Sequence, residues 1–207
     1  MRRALCFCAG LVLAIVLVIT AIAGPATRTG LFVRALTQTV DKARTGVTDE
    51  QLAAFGEETM AYLRGEKPDW QPQIPAEGIP QSFCEHMAEV RGWVRALPWL
   101  IGGGLLLAVL LLWAGGFERR SLIAGACTFA GLILAVIAWA LVDFHSLWMI
   151  LHRVFIPGGI FPAGEPVMQL FPLSLFFQYI TPVAAVLLME TMVIVLLVML
   201  HNCKRKP

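Results

Sequence analysis

The sequence predicts an all-α integral membrane protein: four transmembrane helices, both termini in the cytoplasm, and a cap on the opposite face made by two long loops. Three observations carry this. Of 207 residues, 58% are hydrophobic and only 14% charged, against roughly 45–50% and about 25% in soluble domains. The apolar residues gather in four runs of 20 to 22 residues, Ala4–Gly24, Ala96–Gly116, Ser121–Val142 and Thr181–Leu200. About 20 such residues cross the hydrocarbon layer. Finally, cations crowd the alternate short segments: Arg2 and Arg3, then Arg119 and Arg120, then Lys204, Arg205 and Lys206. Short basic segments stay in the cytoplasm, which orients the chain.

The first element, 1–24, is a transmembrane helix without charge after Arg3. Its basic start and Ala21-Ile22-Ala23 resemble a signal peptide with a small-residue cleavage site. The apolar stretch exceeds the usual signal length of about 7–15 residues, so a retained helix is expected. Segment 25–95 is extracytoplasmic. Within it Thr48-Asp49-Glu50-Gln51 reads as a capping box. Leu52, Phe55, Thr59, Tyr62 and Leu63 then follow helical spacing up to Gly65, giving an amphipathic helix over 48–65. Four prolines between Glu66 and Gln81 predict irregular chain. Helix is expected again from Ser82, running into the second transmembrane helix.

That helix, 96–116, is joined to the third, 121–142, by the cytoplasmic turn 117–120, so the two are expected to form an antiparallel hairpin. Gly102, Gly103 and Gly104, with Gly125 and Gly131, are read as its close-packing contacts. Segment 143–180 is a second extracytoplasmic stretch, apolar yet carrying His145, His152 and Arg153 and then rich in Pro and Gly; it suits the membrane interface. The cap leaves room for short strands. The fourth transmembrane helix, 181–200, holds a single charge, Glu190, expected to face the bundle interior. A cytoplasmic tail, 201–207, completes the chain. Five cysteines form no disulfide framework, because only Cys84 lies clearly outside. A formal net charge of +2 argues for no particular partner; nucleic acid is not expected, and the oligomeric state stays open.

The chemistry-bearing residues collect on the outer side. His86 lies ten residues before the second run and His152 ten after the third. If both flanks are helical, each stands about 15 Å above one membrane boundary, and the hairpin makes the two neighbours. The alternative is two unrelated interfacial histidines. Glu89, at i+3 from His86, is placed to orient its imidazole or is an ordinary exposed acid. Arg153 suits an anionic group or a lipid headgroup. His145 shares a helix face with His152 but reads more readily as interfacial. Cys84 points away from His86 on a helix, which weakens a thiol–imidazole nucleophile. A zinc site from Cys84, His86, Glu89 and His152 has the right residue types without the usual spacing, so no metal and no cofactor are expected.

Three stretches, His86-Met87-Ala88-Glu89-Val90, His152-Arg153-Val154-Phe155-Ile156-Pro157 and Met168-Gln169-Leu170-Phe171-Pro172 followed by Phe176-Phe177, resemble in order and placement the bacterial lipoprotein intramolecular transacylase family. Glu89 stands where that family usually has Asp, and Gly158 and Gly159 where it has more polar residues. The resemblance implies an acyltransferase of the bacterial cell membrane, multi-pass, with its site on the extracytoplasmic face. Its partners would be diacylglyceryl-modified lipoproteins, within membrane lipid. It would move the sn-2 acyl chain of the diacylglyceryl-Cys to the same residue's α-amino group, leaving a lyso-form lipoprotein. The family's two histidines map onto His86 and His152. On that reading His86 is the general base and His152 steadies the carbonyl oxygen, or the reverse, with backbone amides near Gly158 and Gly159 as further donors. Two other classes remain: a non-enzymatic scaffold or sensor using segment 25–95, and a metal-dependent membrane hydrolase.

Overall fold

A computed structural model of the chain describes residues 1–72, 79–157, 159, 161 and 165–203, with side chains described up to residue 192. The elements in order are α1 (Arg2–Ala26), α2 (Thr29–Thr39), α3 (Lys42–Thr45), α4 (Asp49–Arg64), α5 (Gln81–Gly115), α6 (Arg119–Val142), α7 (Phe144–Phe155), a 3-10 turn (Pro166–Gln169), α8 (Leu173–Phe177) and α9 (Ile180–Cys203). The described residues contain no strand, so the short strands for which the cap left room do not form among them. Among the described residues, four helices are long and apolar enough to cross a membrane. They contain the four runs, save Gly116 just past the end of α5, and α5 continues through Pro98 without a break, so that its first part, 81–95, reaches out into the cap. Trp99 and Trp113, both exposed, stand near the two ends of run 96–116, where aromatic side chains favour the interfaces. Residues 73–78, with Pro75, and the basic residues 204–207 lie outside the described residues.

The expected close hairpin is corrected by the packing. Helix α1 is the axis of the bundle, packed against α5, α6 and α9. The glycines serve that axis rather than an α5–α6 contact. A Cβ on Gly125 would run into the Phe7 carbonyl of α1, and one on Gly10 into the Leu122 carbonyl of α6. Gly104 faces Val16, and Gly115 faces Leu5 and the Arg2 carbonyl, all on α1. Gly102, Gly103 and Gly131 meet nothing within 4 Å. In lipid, where no hydrophobic force joins helices, such backbone approach supplies the dispersion contacts. Gly116 makes the α5–α6 turn at φ +71°, a conformation glycine adopts without penalty. Glu118 then caps α6, accepting from the Ser121 amide at 2.8 Å.

The cap is built differently. Helix α4 begins at the capping box: Thr48 Oγ1 accepts from the Gln51 amide (3.3 Å) and Gln51 Oε1 from the Thr48 amide (2.9 Å). It ends at Gly65, φ +84°. Between them Leu52, Phe55, Thr59, Met60, Tyr62 and Leu63 are buried, the stripe an amphipathic helix offers a core. They pack on α2, on the outer part of α5 and on the 3-10 turn and α8. Aromatic rings link these elements, Phe171 lying 5.7 Å from Phe55 and 5.3 Å from Phe83 between centroids. Each such ring contributes roughly 1.5–3 kcal/mol by leaving water. Buried Thr59 accepts a 3.1 Å bond from Trp70 Nε1. Arg91 of α5 lies over the Tyr62 ring and donates to the Lys67 and Pro68 carbonyls, fixing α5 against the segment after α4.

Candidate active site at the junction of cap and bundle

Helical spacing on outer α5 puts Phe83, His86, Met87, Val90 and Val94 along one face, and all five line a single cavity of about 330 Å³. Opposite them stands α7. The chain breaks after α6 at Asp143, whose backbone (φ −149°, ψ 78°) leaves the helical region and whose carboxylate accepts from the Ser146 amide at 3.0 Å. This restart turns α7 toward α5. Trp93 Nε1 locks the two helices by donating to the Phe155 carbonyl at 2.9 Å, with the rings edge to face.

The arrangement brings His86 and His152 together, their ring centroids 6.3 Å apart. They reach each other by a different route from the one expected, since α7 is a separate helix and α1 separates much of α5 from α6. His152 Nδ1 lies 3.0 Å from the Trp148 carbonyl one turn earlier. Its ring also packs on the Trp148 indole at 4.2 Å between centroids. A neutral imidazole in that position donates from Nδ1 and keeps its lone pair on Nε2. His86 sits among Phe83 and Phe161, at 5.7 and 5.5 Å. Its Nδ1 is buried without a hydrogen-bond partner among the described residues. His86 lies outside the spanning stretch, and burial first, then the nearby His152, hold its pKa down at about 4. The ring is therefore neutral at physiological pH.

Gly159 closes the site. A Cβ there would lie 2.5 Å from His86 Nδ1 and 3.1 Å from His152 Cδ2, so a side chain at 159 would displace both rings. Its amide donates to the Ile156 carbonyl at 2.9 Å, so that group is committed to the turn rather than free for an oxyanion. Gly158, the other backbone donor expected, lies outside the described residues.

The remaining candidates stay apart. Glu89 is exposed and makes no hydrogen bond to His86 among the described residues. Arg153 and His145 are exposed. Cys84 packs against the cap core and does not line the cavity. Cys84, His86, Glu89 and His152 do not converge, and no three potential metal ligands among the described residues do. Phe176, one of the residues that carried the family resemblance, lines the cavity, whereas reading for titratable groups missed the rest of its aromatic wall, Trp148, Phe161 and Tyr179. Only the i, i+4 spacing of Trp148 and His152 could have flagged part of it.

The sequence matches, over residues 7–177, the model of the family described as lipoprotein intramolecular transacylase Lit. Among solved structures, the membrane integral lipoprotein intramolecular transacylase Lit from Bacillus cereus has the same fold. The TM-score is 0.73 over 100% of this chain and 99% of that one, at 15% identity. No curated protein matches the sequence.

Proposed function

The chain belongs to the lipoprotein intramolecular transacylase family, and on that premise we propose that His86 and His152 carry an O-to-N acyl transfer within one lipoprotein molecule. The substrate is a lipoprotein whose N-terminal Cys bears an S-diacylglyceryl group and a free α-amine. The amine nitrogen attacks the sn-2 ester carbonyl carbon, a C–N bond forms, and the carbonyl oxygen becomes an oxyanion. The nitrogen's proton passes to one histidine. The acyl C–O bond then breaks, and the glycerol oxygen leaves with that proton. An amide and a hydroxyl replace an amine and an ester, so nothing else is consumed and no acyl-enzyme forms.

The observation that carries this reading is the histidine pair facing each other across Gly159 in an apolar cavity at the cap–bundle junction. We assign His152 as the base and His86 as the oxyanion donor, the reverse of the first expectation. The Trp148 carbonyl beside His152 Nδ1 favours the tautomer with a free Nε2 lone pair. His86, kept neutral by burial, is suited to the part of an uncharged donor, as a low-pKa imidazole can polarise a carbonyl. Its Nδ1, without a partner among the described residues, is an atom on which an oxyanion bond would form. The α-amine must arrive uncharged, because an ammonium has no lone pair with which to attack the ester; with a pKa of about 7.7–8.0, only a minor part of the amine is neutral at pH 7. Ester and amine already sit on one molecule, so the cavity has only to hold them in a reactive geometry, and such orientation lowers the barrier by several kcal/mol. The cation distribution supports cytoplasmic termini and a site on the outer face.

The test uses the purified full-length protein with a synthetic diacylglyceryl-Cys lipopeptide bearing a free amine. The product is an isomer of the substrate, so tandem mass spectrometry must locate the chain on nitrogen. Wild-type protein converts the peptide under this reading; a lipopeptide that keeps its free amine overturns it.

A further inference from the structure

We propose, resting on the transacylase reading, that a long acyl chain of the substrate lies in a slot between α5 and α9, floored by α1, that joins the histidine cavity to the bilayer. The cavity is not confined to the cap. Its lining includes Ile22 and Ala26 of α1, Val94 of α5, Val183 of α9 and Tyr179 just before α9. These are the outer ends of three spanning helices. Among the described residues, α5 and α9 each pack closely on α1 and make no comparable contact with each other, which leaves a gap with α1 at its base.

The surface of α1 gives the gap a direction. Between Leu5 and Gly24 the exposed residues of this central helix are Cys8, Ile15 and Ile22, spaced by seven and so along one stripe. Ile15 and Ile22 are 39% and 43% exposed, although α1 is the most enclosed of the four spans. Ile22 lines the cavity together with Val94 and Val183, which places the stripe in the α5–α9 gap. From Ile22 to Ile15 the slot descends about 10 Å with hydrocarbon walls. At the lower level stands Glu190, seven residues beyond Val183 on α9, its Oε2 buried without a partner among the described residues. A carboxyl there ends the hydrocarbon stretch. An occupant of this slot has to be apolar, narrow and continuous with a polar group at the two imidazoles. An acyl chain ester-linked to the reacting glycerol meets all three conditions.

The experiment compares two lipopeptides in vesicles, one with dipalmitoyl and one with dibutyryl glycerol, whose short chains end above Ile15. Ile15→Trp should lower the ratio of long- to short-chain conversion at least tenfold. Leu134→Trp, at an exposed position of α6 that does not line the cavity, should keep the wild-type ratio. Should Ile15→Trp fold poorly, a benzophenone amino acid at position 15 should crosslink the dipalmitoyl peptide, and one at 134 should not. Wild-type conversion of both peptides with an unchanged ratio in Ile15→Trp, or equal crosslinking from both positions, overturns the slot. Wild-type conversion of neither peptide overturns the transacylase reading itself.

Discussion

The bundle and the cap of this protein are held by opposite devices, and the site lies on the seam between them. In the bundle the helices approach through missing side chains: Gly10 and Gly125 let α1 and α6 touch backbone to backbone. In the cap, Phe55, Phe83, Trp70 and Phe171 fill a core that exists because water surrounds it. The lesson is that the same chain answers to two solvents. Lipid offers no gain for burying a large apolar group, so closeness decides packing; water offers a large gain, so bulk decides it.

The largest expected effect falls on the seam. His152→Ala and His86→Ala should each lower conversion of the diacylglyceryl lipopeptide about 10²–10⁴-fold, read as initial rates, while both proteins melt near the wild-type temperature. Full activity in either variant would remove that residue from the mechanism.

The cap and bundle comparison itself breaks or holds on two substitutions. Phe55→Ala, which empties a fully buried site in the cap, should cost about 3–5 kcal/mol. In thermal denaturation the cap should then loosen before the bundle. Gly125→Ala adds only a methyl group, yet it meets the α1 backbone and should cost about 1–3 kcal/mol by overpacking. Gly131→Ala on the same helix, with nothing within 4 Å, should leave the melting temperature unchanged. Equal effects at 125 and 131 would show that close approach to α1 is not what holds α6.

The smallest effect concerns pH. His86 titrates near 4 in the folded protein instead of 6.5, so below pH 6.5 the unfolded state binds the proton that the folded state refuses. Its contribution is therefore full above about pH 6.5 and is lost as pH falls through 4. Melting temperatures measured from pH 7 to pH 4 should decline, and His86→Phe should decline less. Parallel curves would show that His86 is not held neutral by the fold.

How much of this could be read beforehand differs from residue to residue. The amphipathic helix with Thr48, Gln51 and Gly65 at its ends was legible because caps and spacing act within a few residues. The meeting of His86 with His152 was legible from their equal distances to the apolar runs, although α1 interrupts the close hairpin expected to make them neighbours. Glu89 illustrates the limit. Its i+3 spacing is right, but a side chain three residues away can equally turn to solvent, and here it does. The wall of Trp148, Phe161 and Tyr179 was not legible, since aromatic residues beside a membrane look alike whether they enclose a site or face lipid.

By itself, then, the sequence determined four helices long and apolar enough to cross a membrane, and two histidines set equal distances beyond two of the apolar runs. Those properties follow from hydrophobic length and spacing along the chain, which need no partner segment. Only the tertiary structure decided that α1 is the axis, that Asp143 turns α7 toward α5, and that Gly159 lets the two rings face each other. These depend on which backbones can approach within a few ångströms, and residues far apart in the chain settle that only by packing.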